Sequence, residues 1–248
     1  MADARERRAA AVDEIHAELI RAGESRPRVR ALLATSLDEQ TLLALLCRSV
    51  PVAFLEEVAA TPPWSERPFV LARVVLNPRV PRALALRLVG VLHWRELAEV
   101  AATMRVAGAV RLRAEALLRD RLPELRFGDR ITLARIATPA LLGLLLLDSE
   151  RRVVFAALEN ARLREEDLVT ALRRDDAAAA LVEGASVSPR WSSSYAVRLA
   201  LVLQSRTPLA IALAQISALV PRDLRRVADD PRLHPLVRAA ARSVLERS

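Results

Sequence analysis

The feature that most limits what this chain can become is a corner motif that keeps returning. Residues 77–81 read Asn-Pro-Arg-Val-Pro and lead into a Leu-rich run. Residues 204–208 read Gln-Ser-Arg-Thr-Pro, 230–233 read Asp-Pro-Arg-Leu, and 160–163 read Asn-Ala-Arg-Leu. Each falls where one apolar-periodic run stops and the next begins, which predicts a tight corner between two helices. Proline at a first helical position costs nothing, because that N–H has no partner within the helix. The residue before proline is pushed out of helical geometry, which ends the preceding helix. Indexed on a small apolar or β-branched residue, the corners fall at Val50, Val80, Val106, Thr138, Leu163, Val187, Thr207 and Leu233. Their intervals are 30, 26, 32, 25, 24, 20 and 26, a beat that marks an internal repeat.

A helix pair of this length cannot bury its apolar face alone, and stacked neighbours complete one continuous core. The expected fold is therefore all-α: an α-α solenoid of about eight repeats of roughly 25 residues. Residues 1–35 are expected to be an N-terminal capping helix and linker, and 36–248 the solenoid, with a mobile joint near 184–194, where the chain is Ser-rich. Composition agrees. The chain is 52% hydrophobic but only 3% aromatic, and a core of Ala and Leu suits close-packed helices. The longest internal match pairs residues 77–121 with 204–248 without a gap, and the two stretches are expected to superimpose.

Local signals refine this outline. Val12, Ile15 and Leu19 share one face of a helix over 2–22, whose early arginines Arg5, Arg7 and Arg8 oppose its dipole and predict fraying. Residues 23–28 should break it. Ser36 followed by Glu39 reads as a capping box. Residues 61–68 form a stiff Pro-rich loop, and 127–130 a turn ahead of a helix over 131–136. Cys47, the single cysteine, reads as a buried small hydrophobe in an apolar run. One cysteine excludes an internal disulfide and a Cys-based zinc site. The clusters Glu56–Glu57 and Glu165–Asp167 read as acids in first turns of helices.

The formal charge is +8, and all 38 basic residues are Arg, with no Lys in the chain. Exclusion of Lys reads as compositional bias, yet the surplus still suits an acidic partner. Five corners place Arg just before the index residue: Arg79, Arg105, Arg162, Arg206 and Arg232. In a solenoid these would line one edge as a ladder able to grip phosphates or carboxylates. The competing reading is that each guanidinium bonds the last free carbonyls of a helix. Arg95, Arg111, Arg222 and Arg238, shared between the two matching stretches, form a second basic set. His16, His93 and His234 are isolated and make no metal site. No Gly-rich phosphate loop, nucleophile arrangement or metal signature occurs, so no catalytic residue, metal or other cofactor is expected. No apolar run is long enough to span a membrane, and nothing resembles a signal peptide, which predicts a cytoplasmic protein.

The motif Asn/Asp-Pro-Arg-Val/Leu/Thr-Pro before a Leu-rich helix resembles the leucine-rich repeat variant and, more broadly, the HEAT-like bacterial α-solenoids. Residues 151–168 look most like such a unit. The resemblance implies stacked helices that serve as a binding platform. The variant family's archetype holds a cysteine-bound iron–sulfur cluster, which Cys47 alone cannot supply. One HEAT-like family comprises DNA glycosylases, but its catalytic positions find no match here. The expected function is a non-enzymatic scaffold binding a protein partner through a concave face or Arg-rich edge. The alternative is a nucleic-acid-binding module of DNA-repair type, using arginines of the C-terminal half.

Overall fold

A computed structural model of the chain describes residues 2–34 and 37–247, with side chains from residue 8 onward. Among the described residues every regular element is helical and there is no strand. The chain divides into two compact units, Met1–Pro123 and Glu124–Ser248. The first holds α1 (Ala2–Ala22), α2 (Arg26–Ala34), α3 (Glu39–Leu46), α4 (Val52–Ala60), α5 (Pro68–Leu76), α6 (Arg82–Val89), α7 (Trp94–Ala102) and α8 (Gly108–Arg121). The second holds α9 (Phe127–Ile136), α10 (Pro139–Leu145), α11 (Arg151–Leu158), α12 (Glu165–Leu172), α13 (Ala179–Val187), α14 (Pro189–Ser192), α15 (Tyr195–Leu203), α16 (Leu209–Ile216), α17 (Pro221–Asp229) and α18 (Pro235–Arg247).

In each unit helices pack on those two places along the chain. In the first, α1 packs on α3, α3 on α5 and α5 on α7, while α2 packs on α4 and α6 on α8. In the second, α9 packs on α11, α11 on α13, α13 on α15, and α16 on α18. The two units repeat one plan. The bounds of α4, α5, α6 and α7 each reappear 127 residues later, as α13, α15, α16 and α17. The match therefore begins well upstream of residue 77. The core follows the same offset: the buried cluster of Leu199, Val202, Ile216, Leu224 and their neighbours has a buried counterpart for every member 127 positions earlier, from Ala72 to Ala114.

Three of the corners are held by buried amides. Asn77 sits at the C-terminal cap of α5 and is 3% exposed. Its Nδ2 donates to the Leu46 and Arg48 carbonyls at 2.8 and 2.7 Å, where α3 has ended. Its Oδ1 accepts the Arg79 N–H at 3.0 Å. Gln204 repeats this toward the Leu172 and Arg174 carbonyls and the Arg206 N–H. Asn160 does so toward the Ala134 and Ala137 carbonyls and the Arg162 N–H. Helix C-termini leave carbonyls without partners, and one amide satisfies two of them while fixing the next turn.

Several expectations change. Val187 is no corner: it ends α13 and is 64% exposed. The counterpart of buried Val50 is Ala177, between α12 and α13, also buried. The corner spacings 30 and 26 thus occur in both units, from Val50 to Val106 and from Ala177 to Leu233. Where a linker was expected within 1–35, residues 26–34 form α2, whose Val29 is fully buried. Only the short bend at Gly23, with φ of 57°, separates it from α1. Helix α9 begins at Phe127, so 127–130 is its first turn. Helix α3 is capped by Asp38, which accepts the Thr41 N–H at 2.9 Å, and Ser36 lies outside the described residues, as do the side chains of Arg5 and Arg7. Of the corner prolines only Pro139 opens a helix; Pro51, Pro81 and Pro208 are caps one residue earlier.

Residues 184–194 lie within the second unit, with Gly184, Ala185 and Trp191 buried. Trp191 is 4% exposed, and its Nε1 donates to the Leu158 carbonyl at 2.9 Å. Arg190 donates to the Asn160 and Leu163 carbonyls. Cys47 is exposed rather than buried, because α3 ends at Leu46 and the thiol falls at the cap, off the apolar face. A thiol reagent such as Ellman's should therefore label one cysteine per folded chain without denaturant. Labelling only after unfolding would contradict this placement.

Candidate functional site

Each ladder arginine lies at a corner, but the structure spends several of them internally. Arg162 Nη1 donates to the Ile136 carbonyl at 2.6 Å, closing the end of α9. Arg232 holds both Asp230 oxygens, at 3.1 and 2.8 Å. Arg79 lies 3.6 Å from Glu24. The guanidiniums of Arg105 and Arg206 are exposed and make no hydrogen bond or ion pair among the described residues. In the second set, Arg111 donates to the Val106 carbonyl at 3.2 Å, and Arg95 stacks on Trp94 at 5.1 Å. Arg238 is half-buried, while Arg222 is exposed on α17. Arg79 and Arg162 thus act on groups brought close only in the folded chain, which the motif does not show, whereas Arg232 pairs with Asp230 inside its own corner.

The sequence reading passed over a groove in the first unit. It runs beside α2, α4 and α6 as two adjoining cavities of about 570 and 600 Å³, which share Arg30, Glu57 and Ala60. Arg26 and Glu56 bridge α2 to α4 at one end. Arg30 Nε meets Glu57 at 2.8 Å. Glu56 and Glu57 are therefore not first-turn acids: they lie in the middle of α4, and the Glu57 side chain is 6% exposed. Arg87 of α6 reaches the rim with no ion pair among the described residues. Leu33, Leu37, Pro62 and half-buried Trp64 supply an apolar wall. Arg67 lies over the Trp64 ring and pairs with Glu39.

The second unit shows the same framework closed. The Arg26–Glu56 bridge corresponds to Arg151–Glu183, which joins α11 to α13. Val29 corresponds to Val154, and both are fully buried. Glu57 corresponds to Gly184 at the offset of 127, and with α11 beginning 125 residues after α2, Arg30 corresponds to Phe155. A Cβ on Gly184 would meet Leu158 Cδ1 at 2.5 Å and the Phe155 ring at 3.2 Å, so own side chains fill that space. The counterpart of half-buried Trp64 is buried Trp191. The offset is 127 residues from α4 onward but 125 between α2 and α11, so aligning the sequence at 127 alone does not pair Arg30 with Phe155, and it does not show which of the pair leaves a cavity.

Three carboxyls are held below their ordinary range by guanidinium hydrogen bonds: Asp230 by Arg232, Asp176 by Arg174 and Glu183 by Arg151. A carboxyl whose folded pKa is depressed adds stability above its unfolded pKa, and that stability is lost as pH falls through the folded value. Asp230→Asn should therefore lower stability slightly at neutral pH and flatten its acid dependence below about pH 4. Denaturant melts of both proteins between neutral and acid pH would check this, and parallel pH curves would refute it.

Among the described residues no group of three or more His, Cys, Asp or Glu could hold a metal ion, and no helix is long and apolar enough to cross a membrane. Compared with known protein families, curated proteins and solved structures, the chain finds no match.

Proposed function

We propose that the chain is a non-enzymatic scaffold of α-solenoid type, its stacked helix pairs offering a surface that binds a partner protein. The groove beside α2, α4 and α6 carries this reading, because its lining mixes apolar side chains with both signs of charge. Such a lining suits a folded or peptide partner better than a uniform polyanion, and interfaces are built from an apolar centre within a charged rim. The corner arginines support it in the negative sense. Arg162 and Arg232 are engaged within the chain, which leaves a broken row rather than the continuous cationic track that a nucleic-acid backbone requires.

The test is crosslinking from within the groove. A photoreactive residue placed at Ala83, on its rim, should capture a discrete protein from a lysate of the source organism, and Arg87→Glu should abolish that capture. Duplex DNA should give no mobility shift at low salt. A DNA shift that weakens steeply with added salt, with no protein captured, would replace this reading with nucleic-acid binding.

A further inference from the structure

The two units form an internal comparison. The second fills the space between α11 and α13 with Phe155 and Leu158 packed against Gly184. The first keeps the equivalent leucine, Leu33, but substitutes Arg30 for the phenylalanine and Glu57 for the glycine. A side chain at 57 occupies the room that the missing Cβ leaves at Gly184, so Leu33 cannot close down as Leu158 does. An apolar plug has been exchanged for an ion pair and an open groove. Leaving Leu33, Leu37 and Trp64 only half-buried forgoes apolar burial that the second unit gains with Leu158 and Trp191.

The charges of the groove are also sorted by depth. The Glu57 side chain is 6% exposed, while Arg30 is 68% exposed. Arg26 is 61% exposed against 36% for Glu56. Arg87 adds a third guanidinium at the rim, free of ion pairs among the described residues. The Glu57 carboxylate thus faces inward, and in both pairs the cation is the more exposed partner. An incoming carboxylate could bond Arg87 without breaking any contact, and could share Arg30, which has donors beyond the Nε used by Glu57.

We infer that this groove takes an acidic peptide segment of a partner protein, with an aliphatic or aromatic side chain set against Leu33, Leu37 and Trp64 and its carboxylates on Arg30 and Arg87. This rests on the protein-binding reading above and names the class of partner. A lysine-bearing segment would meet three guanidiniums and a single part-exposed carboxylate, Glu56, already paired with Arg26, and an uncharged one would leave Arg87 unpaired.

A phage-displayed random-peptide library panned on the full chain tests it. The counter-selection target is the double variant Arg30→Phe with Glu57→Gly, which installs the closing pair that the second unit already packs. The expected enrichment is of peptides with Asp or Glu beside an aromatic or aliphatic residue, lost on the double variant. Their synthetic counterparts should bind the exposed-residue variant Arg87→Glu about tenfold more weakly than the parent chain. Enrichment of basic or uncharged peptides would overturn the acidic class while leaving protein binding in place. Equal enrichment on the double variant, or none on either target, would overturn the groove as the docking site. If the crosslinking from Ala83 also captures nothing, the scaffold reading falls with it.

Discussion

Asn77→Asp is expected to cost more stability than any exposed substitution of the same size, about 3–5 kcal/mol at neutral pH. The change is isosteric and keeps the acceptor for the Arg79 N–H, so packing and the local turn survive. What it removes is the Nδ2 that feeds the Leu46 and Arg48 carbonyls. In its place a buried carboxylate would face two carbonyl oxygens, with no donor between them. Asn77→Ala loses the same donors without adding a charge, and should cost less, about 2–3 kcal/mol. The pH dependence separates the two. Burial raises the folded pKa of the introduced carboxyl, so the deficit of Asn77→Asp is smallest below about pH 4 and widens as pH rises through that raised value. Urea denaturation of the three proteins across that range checks it. A deficit of Asn77→Asp smaller than that of Asn77→Ala at neutral pH would show that the amide clamp does not hold the corner.

Trp191→Ala is the second large effect, about 3–5 kcal/mol. The indole is buried among α13 to α15, donates to the Leu158 carbonyl, and lies 4.1 Å beneath the Arg190 guanidinium. Truncation opens a cavity, strands a buried carbonyl and releases the arginine that caps Asn160 and Leu163. Trp64→Ala, at the equivalent place in the first unit, should cost clearly less, because Trp64 is only half-buried. Thermal melts of the pair measure the contrast directly. Equal losses would mean that the groove wall is as closed as its counterpart, and the comparison between the units would lose its force.

Much of the architecture was written in local signals. Corners at Val50, Val80, Val106, Leu163, Thr207 and Leu233 lie between helices because proline and turn residues act on their own backbone. The early helix of 2–22 and the acids opening α12 follow from periodicity and the helix dipole in the same way. Val187 misled because a β-branched residue within Ser-Val-Ser-Pro resembles a corner, while the true junction at Ala177 has neither proline nor asparagine. Cys47 misled because an apolar run does not reveal the residue at which its helix ends.

By itself the sequence determined that the chain is helical, where most corners fall, and that residues 77–121 and 204–248 carry one pattern 127 residues apart. These are properties of neighbouring residues and of a hydrophobic spacing that any reader can count. Only the tertiary structure decided which arginines are spent on carbonyls, that Asn77, Asn160 and Gln204 clamp the helices before them, and that a groove opens in one unit where Phe155 and Leu158 close the other. Those outcomes depend on side chains meeting across about thirty residues of chain, where a single added Cβ decides between a packed core and a cavity.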